Sequence, residues 1–357
     1  MKKAQVSMPP PPPRRRAPND EGCPNPESFV RGTNDDATLS KLSCEQKGYL
    51  KDDFVRHFVR RPQRRAPIIN RGYFSRVLAV HTLLDQFLEA KFDGPERQVV
   101  SLGCGFDTTF FKLKVQGRAP TRYIEVDYHE VTAKKTAIIA SKEPLWSVLD
   151  DDANSVKPHG VAVEIVTQNY SLVAADLRQP EQLERALAKA HFDASVPTFF
   201  LAECVLVYLE PPHSHALLQH CSKACAAPSV FVLYEQICPD DAFGRQMLIN
   251  LESRGIALPG IHAHPDLVTQ RQRYLDAGWE RAEALDMYTI HHKCLDSATV
   301  RRADQLEIFD EFEEWQLIQS HYCVAYGMQK DPAGILGSFG FKIEQSEPSV
   351  GLVLDAD

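Results

Sequence analysis

The chain lacks any apolar run approaching the ~18 residues a membrane helix needs, and its N-terminus lacks the apolar core of a signal peptide. Neither a membrane-spanning nor a secreted protein is expected. Nine cysteines are present, but without paired spacing. An odd number scattered along a long chain reads as reduced thiols of the cytosol or nucleus. Cys221-x-x-x-Cys225 lacks both a third cysteine two residues on and a Cys/His pair at zinc spacing, so no metal is expected. The 13 histidines form no pair with a nucleophile, and no solenoid or propeller period recurs. Basic charge is also in deficit: 40 lysines and arginines against 48 acids leave −8, which argues against nucleic acid as the bulk partner.

What is present organises into four stretches. Residues 1–34 are proline-rich and poor in large apolar side chains, so a disordered tail is expected. In it, Pro9 to Pro13 precede Arg14, Arg15 and Arg16, which suits either a solvated tail or a polyproline ligand for an SH3-type module. Residues 35–95 show helical periodicity with no strand to belong to, which predicts a helical cap. From 96 to 328, nearly continuous apolar strands alternate with amphipathic helices. That pattern predicts an α/β, doubly wound, mostly parallel sheet. Residues 329–357 read as a weakly ordered extension.

The first strand runs into "VVSLGCGFDTTFF". Gly103 and Gly105 permit a tight turn and close backbone approach, and the following helix offers its N-terminus to a ligand. A dinucleotide fingerprint would want glycine at 108, where Thr108 stands. Asp107 follows the turn, and Asp127 ends "IEVDY", where an acid accepts hydrogen bonds from ribose. Glycine turn plus ribose acid without the third glycine fits S-adenosylmethionine better than NAD. "AADL" brings Asp176 toward an adenine amino group beside Leu177, and "AECVLVY" places Glu203 near the sulfonium or ammonium end of the ligand.

Together with "YIEVDYHEVTAKK", "PTFFLAECVLVYL", "INRGYF", "DAFGRQMLINL" and "LEIFDEFEEW", these segments resemble the leucine carboxyl methyltransferase family over residues 35 to 328. The resemblance implies a seven-stranded sheet of the class I S-adenosylmethionine-dependent methyltransferase fold, and methyl transfer from S-adenosylmethionine to the C-terminal leucine carboxylate of the protein phosphatase 2A catalytic subunit and related phosphatases. It implies cofactor contacts at Lys41, Arg76, Gly103, Asp127, Asp176, Leu177 and Glu203, and an acceptor pocket lined by Arg71, Tyr73 and Tyr208. A cytoplasmic, also nuclear, monomer is expected. The alternatives are a tRNA-base or small-molecule O-methyltransferase of the same fold, or a non-catalytic phosphatase-binding protein. The tRNA-modifying relatives carry a propeller extension, which this chain is too short to include.

The chemistry suits the residues. A carboxylate is already ionised at neutral pH, so alignment and desolvation matter more than a general base. Arginine and tyrosine donors would replace the carboxylate's lost water. Arg56, Arg60, Arg61, Arg64 and Arg65 in "VRHFVRRPQRRAP" are a solvated helix end and loop, a surface for an acidic partner or, third given the acidic whole, a nuclear-import or RNA-binding signal.

Overall fold

The computed structural model describes residues 26–149 and 163–343. The polyproline run and Arg14–Arg16 lie outside the described residues. Helices α1 (Pro26–Gln46) and α2 (Pro67–Glu89) form the cap, joined through a 3₁₀ turn at Val55–Phe58. α1 thus begins inside the stretch expected to be tail. Proline at its first position suits a helix start, since the missing N–H is one the first turn leaves unused.

The α/β part follows as β1 (Gln98–Leu102), α3 (Thr109–Val115), β2 (Arg122–Asp127), α4 (His129–Ser141), α5 (Glu143–Trp146), β3 (Ile165–Val166) and β4 (Tyr170–Ala174). Then come α6 (Pro180–Lys189), β5 (Thr198–Glu203), α7 (Pro211–Ala224), β6 (Ser229–Gln236), α8 (Ala242–Glu252) and α9 (Leu267–Asp276). The chain closes with β7 (Arg281–Asp286), α10 (Met287–Lys293), α11 (Ser297–Asp304), α12 (Phe312–Ser320) and β8 (Tyr322–Gln329).

The sheet order is β3-β4-β2-β1-β5-β6-β8-β7, with the five strands from β4 to β6 parallel. β3, β8 and β7 pair antiparallel at the margins. Eight strands replace the seven expected. β7 was missed because "RAEALD" is only half-buried and carries acids, so no apolar run marks it. The acidic stretch "RADQLEIFDEFEEW" is shared between two helices: α11 stops at Asp304 and α12 begins at Phe312.

Central strands are buried along their length, as layers on both faces require. One core face packs Phe110, Phe111, Tyr123, Tyr170 and Phe199 against α2 through Leu83, Leu84 and Phe87. The other packs Phe200, Phe231, Tyr274 and Trp279. The expected C-terminal extension is tied down as far as it is described: Gly340 N–H donates to Gln86 of α2 at 2.9 Å, and Phe341 N–H to the Tyr326 hydroxyl at 3.2 Å.

Candidate active site

Strand order reverses about β1, whose neighbours β2 and β5 lie on either side. Open α/β sheets bind ligands at the carboxyl ends of strands at such a point. A cavity of about 480 Å³ opens there, walled by the ends of β1, β2, β4 and β5 and roofed by α1 and α2. That lies within the ~300–1,000 Å³ of small-molecule sites.

The glycine turn is shaped by its neighbours. Gly103 (φ +65°) and Gly105 (φ +50°) both adopt left-handed backbone. A Cβ on Gly103 would meet Val205 Cγ2 at 2.6 Å, and one on Gly105 would meet Asn34 Oδ1 at 2.5 Å. Asn34, from the first half of α1, accepts the Phe106 N–H at 2.8 Å and so holds the turn from above. Asp127 accepts the N–H groups of Gly105 and Tyr128, each at 2.7 Å. The Asp127 carboxylate lines the cavity, where a carboxylate can accept from a ligand hydroxyl.

Under the turn lies an ion cluster. Lys41 Nζ reaches Asp107 at 3.1 Å, Thr108 Oγ1 at 2.9 Å and Asp52 at 3.2 Å. Burial works against its charge, yet Asp107 and Asp52 hold the ammonium above its ordinary pKa. Burial likewise disfavours ionised Asp107, and Lys41 with Lys135 overrides it, carrying the acid far below the usual carboxylate range. Both side chains touch the cavity wall, but each is chiefly the other's partner.

Arg76 and Glu203 face each other across the cavity's other end, with Nε to Oε2 at 2.7 Å. The guanidinium lies over the Tyr234 ring at 4.8 Å and the Tyr73 ring at 5.5 Å. Burial opposes its charge, but Glu203 keeps Arg76 protonated well above its normal range. Tyr73 and Tyr208 also line this end, and burial pushes both phenols up, so they are neutral donors. The loop carrying Tyr208 is fixed from behind. Buried Glu235 accepts the Val207 N–H at 2.7 Å and pairs with Arg273 at 2.9 Å. Cys204, at φ +55°, carries the backbone strain of this corner.

Two of the expected residues stand off the wall of this cavity. Arg71 does not line this cavity. It is buried elsewhere, with Nη1 donating to Asp304 at 2.7 Å and its guanidinium 4.2 Å over Phe309. There it borders a separate hollow of about 370 Å³ with His291, His292, Phe312 and Trp315. Asp176 is also off the wall: Ala175 and Leu177 line it, whereas Arg178 donates to both Asp176 oxygens at 2.6–3.0 Å. Burial opposes ionised Asp176, and these bonds override it, keeping its pKa low.

The remaining expected residues, Lys41, Tyr73, Arg76, Gly103, Gly105, Asp107, Asp127, Leu177, Glu203 and Tyr208, all meet at the cavity. Thr33, Asn34, Ala37, Ser40 and Lys41 of α1 were the missed wall, apart from the lysine. Their signal is a stripe of small and polar residues at helical spacing. Among the described residues no group of His, Cys, Asp and Glu is placed to hold a metal, and no helix is long and apolar enough to cross a membrane.

A family model described as leucine carboxyl methyltransferase matches residues 27–222. An Arabidopsis thaliana protein, "Leucine carboxyl methyltransferase 1 homolog", is 48% identical over 315 residues, covering 88% of this chain and 93% of its own length. "Leucine carboxyl methyltransferase 1" of Caenorhabditis elegans is 39% identical over 83% of this chain and 90% of its own. The human "tRNA wybutosine-synthesizing protein 4" is 37% identical over 85% of this chain but only 44% of its own length. With this family match and these identities beside the strand-end cavity, the chain belongs to the leucine carboxyl methyltransferase family and is a methyltransferase.

Proposed function

We propose that the protein methyl-esterifies the α-carboxylate of a C-terminal leucine, with the protein phosphatase 2A catalytic subunit and related phosphatases as acceptors. The observation that carries this reading is the division of one cavity into two chemically different ends. The end at the glycine turn offers Asp127 for ribose hydroxyls and the flat Leu177 for a base. The end at Arg76 and Glu203 offers opposite charges, which suit the carboxylate and ammonium of an amino-acid tail. This donor set fits S-adenosylmethionine, the methyl donor, which supplies a methyl group on a positively charged sulfur.

The acceptor needs no general base, because a chain-terminal carboxylate has a pKa of about 3.5 and arrives ionised. His81, the histidine on the cavity wall, is held neutral, burial lowering its pKa well below the ordinary value. What the protein supplies is dehydration and aim. The Tyr73 and Tyr208 hydroxyls replace water around the oxygen nucleophile without the grip of a full ion pair. That matters, since over-stabilising the ground state slows attack. Charge is neutralised as oxygen bonds to the methyl carbon and the carbon–sulfur bond breaks, so a dry pocket favours the step. The roof of α1 and α2 keeps it dry.

The test is transfer of labelled methyl from S-adenosylmethionine to purified phosphatase catalytic subunit with and without its final leucine. Incorporation as a base-labile ester, lost when that leucine is removed, is expected. Label on the truncated protein, or on tRNA instead, overturns the reading.

A further inference from the structure

Arginine is concentrated in one place that the reaction does not use. Residues 59–66, between the turn at Val55–Phe58 and α2, form neither helix nor strand and carry Arg60, Arg61, Arg64 and Arg65. Arg56 adds a fifth guanidinium in a chain of net charge −8. Two of the five are spoken for: Arg65 pairs with Asp36, and Arg64 reaches Glu307 at 3.4 Å. Arg56, Arg60 and Arg61 are exposed and form no ion pair among the described residues. Folding therefore gives Arg60 and Arg61 no ion-pair partner within 4 Å among the described residues, and Arg56 only the longer-range field of Glu45. Arg56 also acts on its neighbour: burial, then Arg56 and Lys142, lowers the pKa of His57.

Both ends of this strap are anchored at the cavity. Phe58 stacks on Phe106 of the glycine turn, ring centres 5.6 Å apart. At the other end Ile68 and Ile69, just past the strap, are wall residues, as is the Asp36 that Arg65 holds. The exposed cations thus sit on a strap whose two ends are tied to the cavity wall.

We propose that Arg56, Arg60 and Arg61 dock an acidic protein segment, the stretch of acceptor chain that precedes the methylated terminus. This rests on the reading that the acceptor is a protein C-terminus. Exposed cations act mainly by steering and by screened, individually weak pairs, so they set KM rather than the rate of the bound complex. RNA is the poorer fit: residues 59–66 contain no aromatic ring on which a base could stack.

Fluorescence anisotropy on the full-length protein tests it with two labelled peptides ending in leucine. One carries glutamates upstream and the other glutamines in the same places, each as free acid and as terminal amide. Wild type should bind the glutamate acid roughly tenfold more tightly at low salt, with the preference shrinking as salt rises. The Arg56→Gln/Arg60→Gln/Arg61→Gln variant should lose that preference while methylating the glutamine acid at the wild-type rate. Equal affinity of wild type for the two acids, an undiminished preference in the variant, or tighter binding of tRNA than of the glutamate peptide each overturn the strap. An amide that binds as well as its acid overturns the acceptor reading instead, while the glutamate preference still reports on the strap.

Discussion

Arg71 and Arg76 lie on the same helix, five positions apart, and serve different parts of the molecule. At 100° per residue they point about 140° away from each other. Arg76 looks down onto the sheet's carboxyl edge, where Glu203 ends β5 and Tyr234 lines β6. Arg71 looks outward to α11, where it holds Asp304, and to Phe309 beyond it. One arginine faces the ligand cavity and the other fastens the roof to the helices beside it. The motif "INRGYF" advertises both the arginine and the tyrosine, but only Tyr73 turns into the cavity. A resemblance identifies which residues matter; helical phase decides what each does.

Breaking the cavity side should produce the largest effect. Arg76→Ala leaves Glu203 facing the cavity without its partner and removes the guanidinium offered to the ligand's carboxylate. Calorimetry should show S-adenosylmethionine affinity falling about a hundredfold, the upper end of the ~1.5–3 kcal/mol that a charge-assisted hydrogen bond is worth. Unchanged affinity would detach Arg76 from the cofactor end. Asp127→Ala should follow at about ten- to a hundredfold, since a charge-assisted hydrogen bond is worth ~1.5–3 kcal/mol. Part of that loss will come through Gly105, whose N–H the carboxylate fixes.

Breaking the other side should read out in a different quantity. Arg71→Ala removes two hydrogen bonds to Asp304 and the stacking on Phe309, so unfolding in urea should report a loss of about 2 kcal/mol. Methyl transfer per folded molecule should stay within about twofold, because no wall residue is lost. A large fall in kcat with stability intact would return Arg71 to the reaction and erase the contrast.

The fold was legible where burial on both faces wrote itself as apolar runs, as in "VVSL" and "TFFLAE". It was illegible at β7, whose Glu283 is exposed at the sheet margin. Most strand-end residues were legible because strand termini and glycine turns are local features. Two kinds of fact were not. Long-range pairing hid the Lys41–Asp107 bond, which joins residues 66 positions apart and turns two expected ligand contacts into each other's counter-ions. A short-range partner shapes the third case: Arg178, two residues from Asp176, holds that carboxylate beside the cavity wall. The site's shape is a tertiary property, and one-dimensional spacing sees only its edges.

The smallest expected effect separates the two arginines by pH. On the roof side, burial, then His292 and Arg71, lowers the His291 pKa from 6.5 to about 3, so the ring is neutral when it bonds Ser75 at 2.9 Å. The unfolded chain accepts a proton near pH 6.5 that the folded chain refuses until about pH 3, so this site loses stability as pH falls through that window. Between pH 7 and 5.5 the loss should be about 1 kcal/mol. Urea unfolding of wild type and His291→Gln at the two pH values isolates it, because other carboxylates contribute equally to both proteins. The variant's stability should change less with pH by that amount, and an identical change in the two would show that His291 is protonated in the fold. Arg71→Ala removes one of the charges opposing that proton and should narrow the difference by a few tenths of a kcal/mol. Arg76→Ala should leave it untouched, because among the charges acting on His291 only His292 and Arg71 stand out, and both lie on the roof side.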